Sequence, residues 1–170
     1  FELRGVRWVE LQPADRPPGA AGAFLTYDWD QDRLLGHIAG ETWVFEDDNW
    51  RPLGDAPGNP RGLAYDRARG RAITTDGSTT FALVDDAWVE LSVTHPTARI
   101  FFALGYDAGR RGVVLHGGNV QGAPTGELYL LEDDAWTLVG DDQPLIHHVL
   151  TDDPVTGELW FTDNGRDWMG

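Results

Sequence analysis

Short apolar runs alternate along this chain with polar or Gly-rich breaks, and the breaks recur in a fixed order. The fullest example occupies residues 100–140. Ile100–Tyr106 is apolar and aromatic, and Asp107–Arg111 is a polar turn. Gly112–His116 is a second apolar run, closed by Gly117 and Gly118. An irregular stretch, 119–126, leads to Leu128–Leu131, then to Glu132, Asp133 and Asp134, and then to Trp136–Val139. Runs this short, bounded by turn residues, predict four strands of an antiparallel meander, termed a to d in chain order. Helical periodicity is absent from every window of about 11 residues.

The same order returns twice in shorter form. Residues 62–92 supply Leu63–Tyr65, Arg71–Thr75, Phe81–Val84 and Trp88–Leu91, and residues 23–53 supply Phe24–Tyr27, Arg33–Leu35, Trp43–Phe45 and Trp50. Each end of the chain holds half a unit. Strands a and b are read over 146–168, and strands c and d over 1–11. Four aromatic pairs mark the register: Phe1 and Trp8, Trp43 and Trp50, Phe81 and Trp88, Tyr129 and Trp136. The second members stand 42, 38 and 48 residues apart. A period near 40–50 residues signals stacked supersecondary units that bury their faces against one another. Large aromatics repeated at one register are packing pieces, so Trp50, Trp88 and Trp136 are expected in the core. Joining the termini would place Trp8 42 residues past Trp136. That closure predicts a composite sheet, two strands from each terminus, which would remove exposed sheet edges.

Tyr106-Asp107, Gly117-Gly118, Tyr129 and Trp136 resemble the kelch repeat. The resemblance implies an all-β protein: a β-propeller of four four-stranded blades, approximately 23–53, 62–92, 100–140, and 146–168 plus 1–11. Gly117-Gly118 becomes Ala39-Gly40 and Asp76-Gly77 in the other units. Kelch rings usually hold more than four blades. The count therefore leaves two arrangements, a complete monomeric ring or a ring shared by two chains, and the closing interval favours the monomer.

Composition narrows the partners. The net charge is −15, and all 13 basic residues are Arg. Such a chain repels phosphate backbones and anionic bilayers, so neither nucleic acid nor membrane is an expected partner. Cys is absent. That excludes thiolate nucleophiles, Cys-ligated metals and a Cys-crosslinked Tyr cofactor.

Paired carboxylates at Asp47-Asp48, Asp85-Asp86 and Asp133-Asp134 repeat between strands c and d, which reads as hairpin-turn chemistry. Asp28, Asp66, Asp107 and Asp153 open the a-to-b turns, with Arg33, Arg71 and Arg111 as exposed partners of the first three. His37 and His116 fall at equivalent places, and His147-His148 begins the last a strand. No convergent set of metal ligands is visible, and no motif names a cofactor. The segment 157–168 is similar to one in quinone-dependent sugar dehydrogenases, whose activity here would depend on Asp163 or Arg166, and it half-resembles the sialidase Asp-box through Asp163, Gly165 and Trp168. What stays irregular is the loops. Arg16, Arg61, Arg99 and His95 lie on the d-to-a connections, and His148 lies near the expected channel. These five are the expected ligand contacts. The function read from the sequence is a non-catalytic binding module presenting one loop face to a protein or carbohydrate. The alternatives are a propeller enzyme like the sugar dehydrogenases and a structural ring without ligand.

Overall fold

A computed structural model describes residues 2–20, 22–133, 135–153 and 155–162. Phe1, Asp134 and the segment 163–170, with Asp163, Arg166 and Trp168, lie outside the described residues. All regular structure among the described residues is β, in antiparallel sheets. A hairpin, β1 (Glu2–Arg4) and β2 (Arg7–Val9), comes first. β3 (Ala23–Asp28), β4 (Arg33–Ile38), β5 (Glu41–Glu46) and β6 (Asn49–Asp55) form the first four-stranded sheet, paired in chain order. The second sheet holds β7 (Leu63–Asp66), β8 (Arg71–Thr75), β9 (Thr80–Val84) and β10 (Ala87–Glu90). Two strands, β11 (Ala103–Asp107) and β12 (Gly112–His116), begin the third sheet. A small hairpin of β13 (Asn119–Val120) and β14 (Ala123–Pro124) interrupts it, and β15 (Glu127–Glu132) and β16 (Ala135–Asp141) complete it. The last hairpin is β17 (Val149–Asp152) with β18 (Leu159–Thr162).

Turn chemistry explains the meanders. Asp47 and Asp48 have φ of 49° and 61°, and Asp85 and Asp86 have 49° and 60°. Two consecutive left-handed residues make the tight hairpin turn whose twist matches the flanking strands, and Asp tolerates that conformation well. The carboxylates at the a-to-b turns also bond their own backbone. Asp28 accepts from the amides of Asp30 and Gln31, Asp107 from Arg110, and Asp153 from Val155 and Thr156. Gly117 and Gly118 serve close approach: a Cβ on Gly117 would lie 2.5 Å from the Leu145 carbonyl oxygen.

The core lies between sheets. Leu35, Val44, Leu63, Tyr65, Ala72 and Leu83 fill the space between the first and second. Ile73, Phe102, Leu104, Val113, Leu115 and Trp136 belong to the cluster between the second and third. Trp88 and Trp136, on the fourth strands of the second and third sheets, each reach back one sheet. The indole N–H of Trp88 donates to Thr42 Oγ1 at 2.8 Å, and that of Trp136 to Thr80 Oγ1 at 2.9 Å. The first strands also approach closely: β3 packs on β7, β7 on β11, and β11 on β17. Glycine permits this, since a Cβ at Gly62 would meet Leu104 Cβ at 2.8 Å, and one at Gly105 would meet Leu150 Cβ at 2.8 Å.

Three expectations need correction. The composite sheet does not form: β1–β2 and β17–β18 are separate two-stranded sheets, with Trp8 in one and Trp160 in the other. Strands of three and four residues have few ladder bonds with which to hold a second hairpin. Burial of the repeated Trp is uneven. Trp136 is buried, but Trp88 and Trp50 are only half-buried, and no described four-stranded sheet precedes that of Trp50. The a-to-b ion pairs are not all exposed, either. Arg33 bonds Asp28 at 3.0 Å with both side chains at or under 4% exposure, and it also reaches Asp86 in the next sheet at 2.6 Å. In the other two turns Asp66 and Asp107 are paired by Arg69 and Arg110.

Candidate functional site

One cavity touches all the units. About 300 Å³ in volume, it is lined by the first strands β3, β7, β11 and β17 and by Trp29 and Arg67 from the turns after β3 and β7. The Asx-turn carboxylates Asp28, Asp66, Asp107 and Asp153 fix the register of those turns. The residue before each is Tyr27, Tyr65, Tyr106 and, in the last hairpin, Asp152. The residue after is Trp29, Arg67 and Ala108 in the three sheets. At the cavity mouth, then, the repeat breaks.

The break has a definite geometry. Arg67 lies with its guanidinium carbon 4.7 Å from the Tyr106 ring centroid and 5.4 Å from that of Trp29. It forms an ion pair with Asp152. Two rings and a carboxylate, contributed by three other units, thus hold one cation. Asp152 is available for this because its neighbour Asp153 carries out the turn bonding. Trp29 stands edge-on to Tyr27, with centroids 5.2 Å apart, and is 53% exposed. Tyr65 donates to Asp30 Oδ2 at 3.0 Å, and Tyr27 donates to Asp32. Burial and hydrogen bonds to Asp28 and Asp30 push the Tyr65 hydroxyl up, burial raises that of Tyr106, and the bond to Asp32 raises that of Tyr27. All three tyrosines therefore remain neutral hydroxyls near pH 7. The mouth offers a flat apolar face, hydroxyl groups, one fixed guanidinium and several carboxylates.

The residues singled out by sequence are placed otherwise. Arg61 and Arg99 share a depression of about 370 Å³ with Asp76, Asn119 and Gln121, away from this cavity. Arg99 is structural. Its fully buried guanidinium bonds Glu127 at 2.8 Å, with further bonds to the carbonyls of Thr97 and Gly117, and lies over Tyr129. His95 bonds Thr75 Oγ1 at 2.9 Å and the Pro96 carbonyl at 2.9 Å, and burial lowers its pKa. Arg16 is exposed, bonds Gln12, and borders a different groove. His148 does not line this cavity: it precedes β17, is buried, and bonds His116 at 2.9 Å. Of the five, the structure brings only Arg61 and Arg99 together, and Arg99 is already engaged. Among the described residues no group of three or more His, Cys, Asp or Glu could hold a metal ion.

Sequence reasoning missed Trp29, Arg67 and Asp152. The signal was present. Once the units are aligned on the turn Asp, these positions are the ones where equivalent places hold unlike residues.

No family model matches the chain, and no curated protein matches it. Among solved structures the chain is similar to YjhT. The identity is 12%, the match covers 71% of this chain and 44% of that one, and the TM-score is 0.52. The chain thus spans less than half the length of YjhT. At this identity the likeness concerns fold alone.

Proposed function

We propose that the chain is a non-catalytic binding module, built of kelch-like propeller blades, and that it binds a small hydroxyl-rich ligand such as a carbohydrate at the axial mouth. The observation that carries this reading is the half-exposed face of Trp29 beside the fixed guanidinium of Arg67, at the rim of a cavity lined by the first strand of every unit. An indole face suits the apolar face of a sugar ring. Carboxylates and tyrosine hydroxyls around it accept and donate hydrogen bonds to a polyol, as small-ligand sites require. Four first strands meeting at one cavity, each leading into an antiparallel sheet, support the propeller arrangement. Binding suits this chemistry better than turnover. The tyrosines are held protonated, and the charges of Arg67 and Asp152 are spent on each other.

The reading places the ligand among the a-to-b turns rather than on the d-to-a and b-to-c loops. Calorimetric titration with a panel of neutral oligosaccharides separates the two sites. Trp29→Ala should weaken binding at least tenfold, about 1.4 kcal/mol, while Arg61→Ala leaves it unchanged. Loss of binding in Arg61→Ala, with Trp29→Ala unaffected, would return the site to the loop face.

A further inference from the structure

The turns that follow β3, β7 and β11 differ in charge. After the turn carboxylate the first reads Trp29, Asp30, Gln31, Asp32, the second Arg67, Ala68, Arg69, Gly70, and the third Ala108, Gly109, Arg110, Arg111. Most of the arginines there are engaged. Arg67 pairs with Asp152, Arg69 with Asp66 and Asp133, and Arg110 with Asp107. Arg33, which closes the first turn, is committed to Asp28 and Asp86. Asp30 and Asp32 are exposed and have no basic partner among the described residues. Both are nonetheless held in place. Asp30 Oδ2 accepts from the Tyr65 hydroxyl at 3.0 Å and lies against Gly70 of the second turn, where a Cβ would collide with it. Asp32 accepts from the Tyr27 hydroxyl. Each of these tyrosines lines the cavity. A carboxylate that accepts from one neutral phenol keeps further acceptor positions open. Trp29, between Asp28 and Asp30, presents a ring that is 53% exposed.

We propose that the ligand of this mouth carries a protonated primary amine: an amino-sugar unit whose ring rests on Trp29 and whose ammonium group is bound by Asp30 and Asp32. The inference rests on the reading of the mouth as a carbohydrate site, and the two carboxylates select among carbohydrates. Fixed carboxylates without a counter-charge, beside an exposed indole, attract a cation and repel a sugar acid. The chain already uses this chemistry once. Arg67 lies over the Trp29 and Tyr106 rings and meets a carboxylate, Asp152. That pairing also leaves Arg67 no free charge with which to draw an anionic ligand. An ammonium group has three donors and no acceptor, which suits the open acceptor positions on two carboxylates, and hydrogen bonds between ions are the strong ones. A neutral sugar of the same shape leaves Asp30 and Asp32 without that partner, so the charge sets preference where the indole sets only the ring.

Calorimetric titration with β-1,4-linked glucosamine oligosaccharides, against their N-acetylated counterparts of the same length, tests the proposal at about pH 6, where a sugar amine is protonated. The two series differ in charge on one backbone. The amine form should bind about tenfold tighter, and added salt should narrow the gap. Asp30→Asn and Asp32→Asn keep the acceptor for each tyrosine and remove the charge, and each should reduce the preference by about threefold. Asp55→Asn makes the same change of net charge at the end of β6, across the first sheet from this turn, and should leave the preference intact. A preference lost equally in Asp55→Asn would show a response to net charge alone and overturn the inference. So would a preference that survives unchanged in both Asp30→Asn and Asp32→Asn. If both forms bind equally and Trp29→Ala weakens both, the amine inference falls while the carbohydrate reading of the mouth stands. Binding of neither form overturns both.

Discussion

The interfaces between sheets and the mouth of the cavity lined by β3, β7, β11 and β17 are built from the same repeat by opposite rules. Between sheets, equivalent positions hold equivalent residues. Trp88 and Trp136 reach Thr42 and Thr80 in the same way, and apolar side chains fill the rest. At the mouth, equivalent positions hold Tyr, Tyr, Tyr and Asp on one side of the turn carboxylate, and Trp and Arg on the other in the first two sheets. A packing position must satisfy the same neighbour in each unit, so like residues recur there. A ligand is not symmetric, and the residues that meet it need not be alike. The unlike residues at the mouth are thus the ones that no repeated packing contact accounts for.

The comparison can be broken most forcefully at Trp136. It is buried between the second and third sheets and anchored at both its ring and its indole nitrogen. Trp136→Ala should lower stability by about 4 kcal/mol, the cost of emptying a large buried aromatic site, as read by urea denaturation. A loss under about 1 kcal/mol would show that repeated position to be no packing piece.

The next effect belongs to Arg33, which joins the first sheet to Asp86 of the second and neutralises the buried Asp28. Arg33→Ala leaves Asp28 unpaired in the interior and should cost about 3 kcal/mol. Asp28→Asn in the same background should restore part of it. No restoration would mean that Arg33 acts through its contact with Asp86 instead.

A pH titration of stability probes the same interfaces without substitution. Burial lowers the pKa of His37 from 6.5 to about 4. Above pH 6.5 the ring is neutral in both folded and unfolded chains and has no effect. As pH falls toward 4 the unfolded chain takes up the proton and the folded one does not. Stability should therefore fall across that window, by up to about 3 kcal/mol from this residue. His95 and His116, also lowered by burial, act in the same direction. His37→Gln should flatten the profile, and an unchanged slope would remove His37 as its source.

The smallest expected change in stability is at the mouth. Trp29 is half-exposed, so Trp29→Ala should stay within about 0.5 kcal/mol of the parent while abolishing most ligand binding. A large loss of stability there would turn the mouth into another packing interface and remove the contrast.

Much of the fold is legible in the sequence, because strand formation and hairpin turns are local. Asp47-Asp48 and Asp85-Asp86 mark tight turns through their own backbone preference, and they adopt that conformation in the structure. The apolar runs between them became strands of the expected order in three sheets. The ends were less legible. The spacing of Trp8 and Trp136 is compatible with a joined sheet, but pairing between β1 and β18 depends on contacts that no spacing specifies.

The candidate site shows the same division. Arg99 and His95 look like ordinary loop residues in the sequence, yet they are consumed by Glu127, Tyr129 and Thr75. Arg67 looks like one more turn arginine, yet it lies between Trp29 and Tyr106 and meets Asp152. Residues 85 apart in sequence come together there. The sequence by itself determined the strands, the turns and their recurrence, since each depends on a few neighbouring residues. Only the tertiary structure decided which side chains were already satisfied and which faced a common cavity. Satisfaction of a polar group and convergence on a cavity are set by how sheets pack, and that depends on distances between residues far apart in the chain.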